Sequence, residues 1–229
     1  MARYALYFAP PEDGPLWRFG SFWIGRDARS VAEPVPPDIP GLDAERWREV
    51  TGSPRHYGFH GTLKPPFALA EGTTLEELES SAAAFADSRP AFAAPPLVLK
   101  DVGGFLALCP AERSAALDGL AADCVRAFES FRAPQSETEL DKRRKGGLPP
   151  RQEAMLQRWG YPYVMEEFRF HMTLTSRLDA DERRRLGALL EPLVAPLAGA
   201  PLEVDAICLY HQPERSTPFT LLRRFPLRS

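Results

Sequence analysis

The sequence predicts an α+β fold, built as a bilobal, pseudo-twofold duplicated unit with two antiparallel sheets facing a central cleft. Short strand-like runs closed by prolines alternate with longer stretches of helical periodicity. One short element occurs twice, as Phe59-His60-Gly61-Thr62-Leu63 and Phe170-His171-Met172-Thr173-Leu174. Each copy is followed by a helix-forming stretch, a proline (Pro95 or Pro96, then Pro201) and a strand opening Leu97-Val98-Leu99 or Leu202-Glu203-Val204. The copies lie 111 residues apart (171 minus 60), a period too long for a solenoid. They imply one bilobal domain over residues 1–229, with the first motif in a lobe of residues 1–110 and the second in a lobe of residues 111–229. A ligand cleft is expected between the lobes.

The elements follow in order. Arg3 to Ala9 is short and aromatic and stops at Pro10-Pro11, which reads as a strand. Residues 10–41 are rich in Pro and Gly, with Trp17, Phe19, Phe22 and Trp23 expected in a packed loop. Asp43 is placed to cap a short helix to Val50, and Tyr57 to Lys64 reads as a strand closed by Pro65-Pro66. Thr73 or Thr74 caps a helix reaching about Ala86, with Glu76, Glu77 and Glu79 near its positive end. Residues 97–102 and 105–109 form two strands around Gly103-Gly104. Glu112 to Phe131 carries a helical apolar stripe, Gln135 to Pro150 a polar stretch, and Arg151 to Trp159 a short helix ended by Gly160. A strand over Phe168 to Ser176, a helix over Ala180 to Leu197 and a strand pair at Leu202 to Tyr210 and Phe219 to Leu227 complete the chain.

Composition narrows the function classes. Hydrophobic residues at 44% and charged residues at 26% exclude a disordered, collagen-like or coiled-coil chain. The net charge of -3 and the pI near 5.9 argue against long nucleic acid as partner, which binds by phosphate neutralisation. The N-terminal apolar run is too short for a signal core or a membrane span, so a cytoplasmic location without membrane attachment is expected. Cys109, Cys124 and Cys208 are far apart with apolar neighbours, which reads as buried thiols and neither disulfides nor a zinc knuckle.

The chemistry rests on strand phase. Residues two apart on a strand share a face, so His60 and Thr62 project together, as do His171 and Thr173. The opposite phase holds Phe59 and Leu63, and Phe170, Met172 and Leu174, which are core side chains. The same phase places Gly58 and Lys64 on the first polar face and Arg169 and Thr175 on the second. Two imidazoles, two hydroxyls and two cations around one cleft suit a phosphate group. Unpaired polar groups are costly on a buried face, so their presence in both copies favours use. Lys142 to Lys145 reads first as a solvated loop, and alternatively as a mobile flap whose Arg143 and Arg144 meet a second phosphate on the substrate. His56 and His211 read as turn and loop residues.

The paired His-x-Thr-hydrophobic elements resemble those of the two-histidine (2H) phosphoesterase superfamily, which includes cyclic nucleotide phosphodiesterases and the bacterial 2′-5′ RNA ligase-like proteins. The resemblance covers essentially the whole chain. The run from Arg143-Arg144 through Trp159-Gly160-Tyr161-Pro162-Tyr163 to Thr175 is similar to a subgroup encoded in bacterial phosphonate-utilisation operons. The resemblance implies His60 and His171 as catalytic residues and Thr62 and Thr173 as phosphate-holding hydroxyls. Lys64, Arg169, Arg143 and Arg144 are expected as substrate-binding cations. The implied reaction is hydrolysis of a small cyclic phosphodiester, a ribose-type cyclic phosphate or a nucleoside 2′,3′-cyclic phosphate, to a phosphomonoester by a monomeric enzyme. No cofactor or metal is expected, because two histidines without a nearby carboxylate or thiolate are a poor set for a metal needing three or four ligands. Two alternatives stay open: an enzyme acting on RNA ends, and a non-catalytic module binding a phosphorylated metabolite.

Overall fold

The computed structural model describes residues 1–33 and 35–229, in α+β architecture. β1 (Arg3–Phe8) lies deep in the molecule, and its alternation sets the layers. Leu6 and Phe8 join the core under the helices, while Ala5, Tyr7 and Ala9 pack on the other face with Trp17, Tyr210 and Phe219. α1 (Pro15–Ile24) stands where a loop is expected; Pro15 in its first turn and Gly25 in the left-handed conformation at its end bound it. α2 (Ala44–Tyr57) starts at the Asp43 cap and runs on through Pro54, so Tyr57 and His56 belong to its last turn and the motif strand begins later. β2 (Gly61–Phe67) follows, then α3 (Leu75–Asp87) with a capping box between Thr74 and Glu77. β3 (Phe92–Ala94), β4 (Leu97–Asp101), β5 (Leu106–Pro110) and α4 (Ala115–Ala127) complete the first half and the crossover.

The polar stretch after α4 is helical: α5 (Glu137–Arg144) is capped by Ser136 and buries no residue, so propensity and charge pairs hold it. α6 (Pro150–Trp159) and β6 (Met172–Thr173) follow, the latter far shorter than the strand expected over 168–176. α7 (Ala180–Val194), β7 (Leu202–Val204), β8 (Ala206–Gln212) and β9 (Thr220–Pro226) end the chain. All three cysteines are buried. Among the described residues no helix is long and apolar enough to cross a membrane.

The seven-stranded sheet has the order β4-β5-β6-β2-β1-β8-β9, and β3 pairs with β7 in a small second sheet. The two motif strands meet in the middle, through the antiparallel pair Gly61↔Met172 alone. The strand groups on either side of that seam are thus joined edge to edge into one sheet. Nor do the halves 1–110 and 111–229 form separate lobes, because β5 pairs with β6 and β1 with β8. The reason is the crossovers: α3 packs under β8 and β9 while its chain returns to β4, and α7 packs under β4 while its chain returns to β8. β3 and β7 lie in these two crossovers and pair with each other there.

One local irregularity redirects a site candidate. β1 and β2 pair as Tyr7↔Thr62 and then Leu6↔Lys64, so β2 spends one extra residue between them. Such a bulge inverts the side-chain phase. Lys64 therefore faces the helices, 2% exposed, with Nζ donating to Val125 O at 3.1 Å and Glu129 Oε2 at 2.9 Å. The expectation that Lys64 shares the face of His60 and Thr62 is corrected. Glu129 is also bound by Arg132, and despite burial, which would raise its pKa, these two cations hold it below the ordinary carboxylate range. Glu129→Ala would leave a buried ammonium without its carboxylate and should cost about 3 kcal/mol in urea unfolding. Lys64→Met should cost less, because Glu129 keeps Arg132. Equal losses would reject this account of the pair.

Candidate functional site

Both motif histidines sit at strand entries, just before β2 and one residue ahead of β6. From the pair Gly61↔Met172, antiparallel geometry puts His60 across from Thr173 and Thr62 across from His171, all on one face. The two imidazoles thus occupy diagonal corners of a square whose other corners are hydroxyls, with diagonals of roughly 7 Å. Gly61 makes the approach possible: a Cβ there would lie 2.5 Å from the Phe170 ring of the opposite motif.

Each imidazole is held in the same way. His60 Nδ1 lies 2.8 Å from Gly58 O, and His171 Nδ1 lies 2.7 Å from Arg169 O. A carbonyl only accepts, so each Nδ1 carries the proton and each Nε2 is the unprotonated nitrogen, an acceptor. His60 Nε2 stands 3.1 Å from Thr62 Oγ1. Gly58 closes α2 at φ 79°, where a Cβ would meet Ala28 at 2.6 Å, so the carbonyl that orients His60 depends on a residue without a side chain. His60 stacks on the buried Tyr7 ring, centroids 3.7 Å apart. Burial pushes the His60 pKa down to about 4, with the His171 charge adding to the effect. Burial also lowers that of His171.

Two adjoining cavities line this face. One, about 270 Å³, holds His60 and Thr173 together with Tyr7, Arg3 and Arg143. The other, about 430 Å³, holds His171, Phe105, Arg169 and Arg177. Thr62, Pro65 and Tyr161 line both.

Of the expected cations, Arg143 and Arg169 therefore reach the cleft. Arg169 Nη1 donates to the carbonyls of Glu166 and Phe168, at 3.0 and 2.5 Å. Arg144 does not line either cavity; it is bound to Glu153 and Asp141, and the run 142–145 closes a helix where a loop is expected. Thr175 is buried, accepting from Leu106 N at 2.9 Å, and serves the sheet. Arg3, Tyr7, Tyr161 and Arg177 join the cleft without a signal in the motif pattern. For Tyr161 the surrounding Trp-Gly-Tyr-Pro run was the available hint. Among the described residues no three His, Cys, Asp or Glu side chains are grouped to hold a metal ion.

The depressed pKa of His60 has a stability consequence. Between about 4 and the unfolded value near 6.5 the unfolded chain binds the proton and the folded chain does not. Stability is therefore full above pH 6.5 and falls as pH drops toward 4, by about 3 kcal/mol from this group. His60→Gln should flatten that slope relative to wild type in urea titrations across pH 4 to 7. Parallel curves for the two proteins would overturn the assignment.

Residues 62–220 match a protein family described as "Protein of unknown function (DUF1045)". The chain is 42% identical over 230 residues to the ribose 1,5-bisphosphate phosphokinase PhnN of Janthinobacterium sp. (strain Marseille), covering 99% of this chain and 51% of the relative. It thus spans about half the length of the curated relatives it matches. The crystal structure of TT0787 of Thermus thermophilus superposes with a TM-score of 0.50 at 14% identity, over 99% of this chain and 98% of that one. E. coli LigT complexed with 3′-AMP gives a TM-score of 0.45 at 16% identity, over 99% and 98% of the two chains. The α+β fold expected from the resemblance to two-histidine phosphoesterases is found, with a large antiparallel sheet and a second small one, the two halves exchanging strands within the large sheet.

Proposed function

The chain belongs to the DUF1045 family of proteins of unknown function, and for this member we propose metal-independent hydrolysis of a small cyclic phosphodiester to a phosphomonoester. The observation that carries the reading is the square of two imidazoles and two hydroxyls across the Gly61–Met172 seam. A phosphorus centre placed in it has an Nε2 on either side. His60, with the lower pKa, is the neutral partner: its Nε2 takes a proton from water as the oxygen attacks phosphorus. The P–O bond on the far side breaks, and the departing alkoxide takes a proton from His171 Nε2. The net change adds one water across one P–O bond, and the proton on His60 returns to His171 through solvent. Thr62 and Thr173 donate to the non-bridging oxygens, and Arg169 and Arg177 supply positive potential beside His171.

Burial lowers the pKa of His171, which by itself opposes its role as acid. An anionic phosphate in the site acts in the other direction and favours the imidazolium. Cavities of about 270 and 430 Å³ suit a sugar phosphate better than an RNA end. The ribose bisphosphate in the name of the Janthinobacterium relative supports a ribose-type cyclic phosphate as the substrate class. The phosphokinase part of that name is not carried over: this sequence has no Gly-x-x-x-x-Gly-Lys-Ser/Thr loop to cradle a nucleotide's phosphates.

Phosphorus NMR of a panel of cyclic phosphates should show ring opening that persists in EDTA. His60→Ala and His171→Ala should each lower kcat by roughly 100- to 10,000-fold while substrate still binds. Activity lost to a chelator and restored by a divalent metal, or wild-type kcat in either variant, would reject the mechanism.

A further inference from the structure

We propose that Arg3 and Arg143 form a second phosphate subsite beside His60, so that the preferred substrate carries a phosphomonoester on the same sugar as the cyclic phosphodiester. Both guanidiniums line the His60 cavity. Arg3 comes from the first residue of β1 and Arg143 from the last turn of α5, so tertiary structure alone brings them together.

Arg3 is held by a buried device. Its Nε donates to Gln212 Oε1 at 2.7 Å, and Gln212 is 0% exposed. Gln212 Nε2 donates to Thr217 O at 2.6 Å and lies 2.9 Å from His56 Nε2. Thr217 O only accepts, so the amide nitrogen must face it and Oε1 must face Arg3. The guanidinium rests 5.3 Å from the centroid of the Phe219 ring. This fixes Nε and leaves the two terminal nitrogens, Nη1 and Nη2, with no acceptor among the described residues. Arg143 lies 4.7 Å from the Tyr161 ring centroid and likewise has no carboxylate or carbonyl partner among them.

Nearby arginines are different. Arg132 is bound to Glu129, Arg144 to Glu153, and Arg215 to Glu139, the last pair also tying α5 to the β8–β9 turn beside Arg3. Burial, and then repulsion from Arg215, lower the Arg3 pKa, as expected for a cation packed without enough negative charge. A phosphomonoester carries a charge of about -1.5 to -2 and three acceptor oxygens, which matches two free guanidinium forks. One aromatic ring under each guanidinium restricts its movement, so binding orders less than it would at a solvent-exposed pair.

The choice of substrate rests on the phosphodiesterase reading, whereas the subsite itself does not, and the test separates them. Ribose 5-phosphate titrated calorimetrically into wild type should bind, and Arg3→Met and Arg143→Met should each weaken it by about 10- to 100-fold. Arg3→Lys should recover part of the loss, because charge returns without the fork. No binding to wild type, or unchanged binding in both Met variants with wild-type Tm, overturns the subsite whether or not the protein turns over any substrate. In kinetics, the Met variants should raise KM at least about 10-fold more for a ribose cyclic phosphate bearing a 5-phosphate than for the same ring with a free 5-hydroxyl. Equal effects on both substrates would also overturn it.

Discussion

The site depends on a contact made possible by a missing side chain. Gly61 sits between His60 and Thr62, and the Phe170 ring of the second motif fills the space a Cβ would need. That contact lets β2 and β6 approach at the seam, where they share the pair Gly61↔Met172. The placement of the two motifs relative to each other derives from it. Move the strands apart and the two imidazoles no longer share one face of a continuous sheet, although each half of the sheet would keep its own ladder.

Two further constraints aim the histidines. The left-handed Gly58 turns the chain out of α2 and presents its carbonyl to His60, and the segment before β6 presents Arg169 O to His171 in the same way. Nε2 is thereby the unprotonated nitrogen in both rings. Tyr7 stacks on His60 and shares in the burial that lowers the pKa of that ring, and burial lowers that of His171 as well. The two imidazoles are thus held alike at Nδ1 and differ at their faces, with Tyr7 stacked on His60 and Phe105 tilted against His171.

The cations are organised by burial and pairing. Arginines that brace the helices are matched with carboxylates, and Lys64 is matched with Glu129 under the sheet. Those on the cleft face are held by carbonyls, by aromatic rings or by the Gln212 amide, which orient a guanidinium without neutralising it. Four arginines and one carboxylate, Glu167, therefore line the two cavities of a chain whose net charge is -3. Whole-chain charge and the local arrangement of charge are thus separate properties of this chain.

How much of this was legible beforehand differs by residue. The repeat and the strand phase were enough to place His60, Thr62, His171 and Thr173 on one face, because alternation along a strand is a local property of the backbone. Thr74, Asp43 and Gly160 marked helix ends for the same reason: capping satisfies groups within one turn. α1 lies outside what local pattern shows although Pro15 and Gly25 bracket it, since the surrounding prolines suit a loop equally well. The side of the sheet that Lys64 takes is not local either, because a bulge depends on the partner strand's register. The exchange of strands between the halves, and the meeting of Arg3 from β1 with Arg143 from α5, were settled only in three dimensions. They arise from how crossovers pack over the sheet and from which buried amide finds which guanidinium. Those are long-range contacts, made between residues that know nothing of one another along the chain.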